Sequence, residues 1–362
     1  MVEILRRLGL GLLLICLSAA VLLYTDRGTR LSARQARPKD RPLRIALVQH
    51  TTLAALDDGA RGAVERLAER GFRDGERIRI SHFNAEGDLG TANTIAKAVT
   101  GGDYDLIISI STPSLQTIAN ANRSGAKTHH VFGVVTDPAG AGVGVNPENP
   151  AEHPPYMTGY GSMQPVDQTF MIARRMYPGL KRVGLVWNAA EANSLAQTRF
   201  ARKVTADMGI ELIEANAENT TAVIEAASSL FSRGIDALWI SGDITVSSAS
   251  DSLIVSARRS GIPVFTSIPP RILQGALFDL GSDFLEVGHT IGDLAAKVLG
   301  GANPADIPVK NLVPIRFLYN ELVLPGLKAT WQIPDDLRAT AAGWITRTST
   351  NLGGSPSQGS KR

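Results

Sequence analysis

A single cysteine, Cys16, in 362 residues leaves the chain without an internal disulfide. That removes one argument for export without excluding it. Net charge is only +3, too small to argue for nucleic acid. Much of the basic excess sits in Arg27, Arg30, Arg34, Arg37, Lys39 and Arg41, so it belongs to an N-terminal tail. The sequence has no GxxxxGK[ST] phosphate loop and no GxSxG elbow. Histidines are scattered without metal-ligand spacing, and His129-His130 enter a strand, where neighbouring side chains point to opposite faces. No nucleophile–base pair is recognisable. These absences argue against an enzyme, a metalloprotein and a cofactor carrier, and leave a binder of small molecules as the class to examine.

What remains is ordinary globular composition, 20% charged and 44% hydrophobic, in a chain long enough to fold as two lobes. Arg6-Arg7 precede an uncharged apolar run from Leu8 to Tyr24, which predicts an export signal over residues 1–25. Its length lies between a signal core and a spanning helix, so a cleaved peptide and an uncleaved anchor both fit. Ser18 and Ala20 offer a small-x-small cleavage site, although Val21-Leu22-Leu23 continue the run. A lipid anchor on Cys16 is disfavoured by Ile15, which stands where a small residue is wanted. Residues 26–41 are basic and aperiodic, and read as a linker.

From Arg44 onward strands alternate with helices. Arg44–Gln49 and Arg77–Asn84 read as strands, as do the apolar runs Leu106–Ile110 and His130–Val135, with helices over Leu56–Arg70, Gly90–Val99 and the stretch after Ser111. Gly140–Pro155 breaks the rhythm as a surface loop. After Met163 the pattern restarts, with strands at Arg182–Trp187, Glu211–Ala215, Ala237–Ser241, Pro263–Ser267 and Gly275–Leu280. Helices are expected at Val166–Met176, Ser194–Met208, Thr221–Ser232, Ser247–Ser260 and Phe284–Leu299. Buried strands alternating with helices imply α/β lobes with parallel sheets and right-handed crossovers.

In open α/β sheets, ligands bind outside the carboxyl ends of the strands, which focuses attention on the residues just past each run. Thr112 and Ser114 follow the third strand at a helix start, where hydroxyls and free N–H groups either cap the helix or clamp a carboxylate. Thr136 and Asp137 follow the fourth; Asp137 either starts a turn before Pro138 or receives an ammonium group. Asn188, Glu191 and Asn193 follow Arg182–Trp187, and Asp243 follows Ala237–Ser241, with the same choice between capping and ligand contact. Trp187 and Trp239 close apolar strands and read as core before ligand platform.

The segments STPSLQTIANA, VFGVVTDPAGAG, VGLVWNAAEANS, SGDITVSSA and GALFDLGSDFLEVGHTIGDLAAKVLGG occur in that order. Together with QHTTLAALDDGARGAVERLAERGF before them, they resemble the tryptophan/tyrosine-binding-like group of ABC-transporter substrate-binding proteins, over about residues 44 to 320. The resemblance implies a type I periplasmic-binding fold: two Rossmann-like lobes joined by three crossovers and closing on a small ligand. It places Thr112, Ser114, Thr136, Asp137, Asn188, Glu191, Asn193 and Asp243 in the cleft. It further implies an amino-acid-like ligand, an ABC permease as partner, an extracytoplasmic location and a monomer, with no cofactor, metal or nucleic acid. The expected organisation is lobe 1 over 42–159, lobe 2 over 160–275, a return to lobe 1 over 276–308, a terminal lobe 2 segment over 309–345 and a disordered tail over 346–362. The chain departs from the family pattern between His50 and Asp57, at 146–155 and at Asp279. A membrane-anchored sensor passing occupancy to a partner is the alternative function that the apolar N-terminal run suggests; an enzyme on this scaffold is a more distant one.

Overall fold

The computed structural model describes residues 41–352 together with Leu17, Ser18 and Val21. The export segment, most of the basic linker and residues 353–362 of the expected tail lie outside the described residues. Residues 43–352 form one compact unit.

Runs such as Leu106–Ile110 and Ala237–Ile240 become strands buried on both faces inside the sheets, while the edge strands Ile78–Asn84 and Glu211–Asn216 stay partly exposed. β1 (Leu43–Gln49), β2 (Ile78–Asn84), β3 (Leu106–Ile110), β4 (His129–Val135) and β5 (Met157–Gly161) are all parallel. With β11 (Lys310–Asn311) they form a sheet in the order β11-β5-β4-β3-β1-β2. The helices α1 (Ala54–Glu69), α2 (Leu89–Gly101) and α3 (Thr112–Ser124) connect the first four strands. In this lobe the ring of His130 is fully buried against the Ser109 hydroxyl at 2.7 Å, and burial lowers its pKa to about 3, so it stays neutral.

The second sheet runs β14-β13-β12-β10-β9-β8-β6-β7. Its strands are β6 (Arg182–Trp187), β7 (Glu211–Asn216), β8 (Ala237–Ile240), β9 (Val264–Thr266), β10 (Phe278–Ser282), β12 (Ile315–Asn320), β13 (Gly343–Ile345) and β14 (Thr350–Asn351). Around it lie α4 (Val166–Met176), α5 (Ala192–Asp207), α6 (Val223–Ser232), α7 (Ile244–Ser248), α8 (Ser250–Arg259) and, near the end, α10 (Asp335–Thr340). The helix expected over Ser247–Ser260 is therefore two, broken at Ala249.

α9 (Phe284–Leu299) belongs to the first lobe, packed along α1. The two helices meet through glycine: a Cβ on Gly288 would lie 2.4 Å from the Gly59 carbonyl oxygen, and one on Gly62 would lie 2.3 Å from that of Leu285. That close approach lets Val287, Ile291 and Leu294 join Ile45, Leu47 and Ile108 in one core.

Three crossovers join the lobes, at residues 161–166, 282–284 and 311–315. They are laced together. The Gln164 side chain bonds both Ser162 and Ser282, Leu312 N–H donates to Gly161 O at 2.8 Å, and Asp283 N–H donates to Pro314 O at 2.7 Å. The architecture is thus a pair of α/β lobes of the type I periplasmic-binding kind. Four boundaries differ from the expectation, the first because β5 keeps residues 160–161 in the first sheet, past 159. β10 pairs with β9 and β12 in the second sheet, so the return to the first lobe begins at Phe284, not at 276. β11 pairs with β5, which carries the first lobe on to Asn311, past 308. Thr350–Asn351 pairs with β13, so that part of the expected disordered tail is sheet.

Candidate functional site

Both sheets reverse their strand order at an internal point, between β1 and β3 in the first and between β6 and β8 in the second. Strand ends beside such a point leave a crevice. The crevices of the two lobes face one another and enclose a cavity of about 550 Å³, counting its mouth. Thr112, Thr136, Asn193 and Asp243 line it, as the sequence suggested, and so do Ser111, Gln197, Ser247 and Arg271. Leu53, Leu56, Val134, Ile268 and Phe284 supply an apolar side.

The first-lobe wall is built on two strained residues. Ser111, which N-caps α3, has φ 107°, and Val134, at the irregularity that ends β4, has φ 53°. Neither a serine nor a β-branched residue adopts such a backbone without a surrounding structure that enforces it, and such strain gathers at functional sites. Here it turns both residues into the cavity wall. The Thr112 hydroxyl accepts from Thr136 N–H at 3.4 Å and so ties the two strand ends together. Gln197, one turn beyond Asn193 on α5, reaches the Thr136 hydroxyl at 3.5 Å, a contact between lobes.

The second-lobe wall is electrostatic. Asp243 N-caps α7; its carboxylate accepts from Val246 N–H at 2.7 Å, Asn188 N–H at 2.6 Å and the Ser194 hydroxyl at 2.5 Å. Burial, followed by the nearby Glu191 carboxylate, pushes its pKa up to about 7, against the pull of those three donors. Asn193 donates to Glu191 and to Gly242 O, while its own Oδ1 is buried without a partner. A buried acceptor left open beside a carboxylate is a place for a donor from a ligand.

The other candidates are placed differently. Ser114 lies behind the wall, its N–H and hydroxyl both bonded to the Ser111 hydroxyl. Since Pro113 has no N–H, little of the helix end is left for an anion. Asp137 accepts from Gly140 N–H at 3.0 Å and closes a turn outside the cavity. Glu191 is occupied by Ile244 N–H, Thr245 N–H and the Thr245 hydroxyl at 2.6–2.9 Å. Asn188 braces Glu218, Thr245 and Asp243. Glu191 and Asn188 shape the second lobe beside the cavity and, like Ser114 and Asp137 in the first, do not line it. Trp239 is core, its indole N–H on the Ser267 hydroxyl, and Trp187 packs under the Arg202 guanidinium; neither lines the cavity.

Sequence reasoning missed Gln197 and Arg271. Gln197 carried a signal, since it stands four residues after Asn193 and shares its helix face. Arg271 carried none: it follows β9 in a segment without periodicity.

A family model described as ABC transporter substrate binding protein matches residues 44–343. A "Tyrosine-binding protein" of Clostridioides difficile (strain R20291) is 30% identical over 281 residues, which cover 78% of this chain and 79% of that one. Among solved structures, a conserved domain protein from Vibrio cholerae O1 biovar El Tor is 27% identical with TM-score 0.78, over 84% of this chain and 100% of its own. The ligand-free, open structure of a substrate binding protein with adhesive properties from Clostridium difficile is 28% identical with TM-score 0.63, over 84% of this chain and 99% of its own.

Proposed function

The chain belongs to the ABC transporter substrate-binding proteins, a family of binders rather than enzymes, and from that premise we propose that it captures an amino acid with an apolar or aromatic side chain. One observation carries the reading: the unpartnered Asn193 Oδ1 and the buried Asp243 belong to one cavity whose other side is apolar. An ammonium group needs acceptors, ideally one of them charged, and these two provide them. Leu53, Leu56, Val134, Ile268 and Phe284 then take the side chain, with gain roughly proportional to the apolar area removed from water. The tyrosine-binding relative supports this class of ligand.

Capture proceeds by closure. The laced crossovers act as the hinge, the Thr136–Gln197 contact forms as the lobes meet, and the closed lobes present the surface that a membrane permease reads. That role places the folded unit outside the cytoplasm, delivered there by the export segment of residues 1–25. Thermal unfolding against a panel of amino acids, sugars and dicarboxylates tests the reading. Tyrosine or a close neighbour at about a hundred times its Kd is expected to add roughly 2.7 kcal/mol of stability. A shift given only by sugars, or by no member of the panel, would contradict an amino-acid ligand.

A further inference from the structure

Among the described residues Arg271 is the one cation in the cavity wall, and its surroundings leave it electrostatically unfinished. Its side chain is 12% exposed, yet among the described residues its guanidinium makes one ion pair, to Asp251 at 3.5 Å. Asp251 is itself 70% exposed, so that attraction is weakened by water. Among the described residues no hydrogen bond from the five guanidinium donors to a protein acceptor accompanies it. A cation this far buried is costly unless paired and hydrogen-bonded.

The backbone beneath it is held firmly. Asp279, fully buried, accepts from Arg271 N–H at 2.5 Å, Ile272 N–H at 2.9 Å and the Thr266 hydroxyl at 2.7 Å. Asn320 donates to Ile272 O at 2.9 Å from the neighbouring strand. The carboxylate of Asp279 is therefore spent on positioning the loop.

We propose that Arg271 is a ligand-binding residue that receives the α-carboxylate of the bound amino acid, and that it makes this protein selective for free acids over amides and esters. The assignment rests on the amino-acid reading above. Asn193 and Asp243 take the ammonium group, Arg271 takes the carboxylate borne by the same α-carbon in the fork geometry that suits it, and the apolar residues of the wall take the side chain. Asp279 is a positioning residue that acts through the loop. The helix end at Thr112, once Ser114 and Pro113 are accounted for, offers an anion far less than a guanidinium does.

The test is calorimetric titration of the full-length chain and of Arg271→Met with L-tyrosine and with L-tyrosinamide, which keeps the ammonium group and lacks the carboxylate. Arg271→Met is expected to bind L-tyrosine roughly 10- to 100-fold more weakly, as for a lost hydrogen bond to a charged group, and L-tyrosinamide as well as the wild type does. Arg271→Lys, which keeps the charge without the fork, is expected to fall between them and guards against a merely misfolded methionine variant. Equal losses for both ligands, or none for either, would overturn the assignment while leaving amino-acid binding standing. Failure of the wild type to bind any amino acid would overturn the amino-acid reading and this assignment together.

Discussion

Asparagine at position 243 is expected to weaken L-tyrosine binding by roughly 10- to 100-fold at pH 8 and to flatten the pH dependence of the wild type. Asp243 meets the cavity while accepting from Val246 at one oxygen and from Asn188 and Ser194 at the other, so an isosteric amide keeps the shape and the cap to Val246 but gives up the acceptor at the second oxygen and the charge. Burial and the neighbouring Glu191 hold its pKa up at about 7. Below that value the carboxyl carries a proton where the ammonium group of the ligand has to bind. Wild-type affinity should therefore be highest above pH 7 and fall as the pH drops through it, approaching tenfold per unit where proton and ligand exclude each other.

Stability of the unliganded protein follows the opposite sense. A folded-state value above the ordinary 3.8 means that the native state holds a proton the unfolded chain has lost. The contribution is fully present below about pH 3.8 and is lost as pH rises through about 7. A bound ammonium restores it at the alkaline end, so ligand-induced stabilisation should grow with pH. Titration of wild type and Asp243→Asn at pH 6 and pH 8 checks this. A wild-type affinity equal at both values would sink the role given to Asp243.

Leucine at position 288 is expected to cost at least about 3 kcal/mol of stability, at the upper end of what overpacking does. The Cβ alone would stand 2.4 Å from Gly59 O and 2.9 Å from the Gly62 Cα, both backbone atoms that no rotamer change can move. α9 would have to lift off α1, withdrawing Val287, Ile291 and Leu294 from the first-lobe core. Because α9 lies directly between two crossovers, the lift would also disturb the hinge. Urea unfolding of Gly288→Leu beside the wild type measures the effect. A loss below about 0.5 kcal/mol would show that the glycine contact is slack.

Much of the fold was legible because its signals are local. Runs such as Leu106–Ile110 are buried on both faces and so are apolar at every position but Ser109, while α1 and α9 show helical periodicity stopped by Gly71 and Gly300. Where pairing is decided by distant partners the reading slipped. Nothing within Phe278–Ser282 says that it lies between β9 and β12, and nothing near Thr350 announces pairing with Trp344 and Ile345. At the site, strand-end logic brought Thr112, Thr136, Asn193 and Asp243 to the cavity wall. It could not separate them from Ser114, Asp137, Asn188 and Glu191. All eight are polar residues beside turns or helix starts, and whether such a side chain points to a ligand or to its own backbone depends on tertiary hydrogen bonds. Glu191 shows this most clearly: its carboxylate looks available until Ile244 and Thr245 are placed against it.

Photolabelling with p-azido-L-phenylalanine, with and without excess L-tyrosine, tests most directly whether the cavity between the lobes holds an amino acid. Attachment is expected within Leu53–Leu56 or at Val134, Ile268 or Phe284, and L-tyrosine should suppress it. Attachment elsewhere on the protein, or labelling that excess L-tyrosine leaves unchanged, would contradict it.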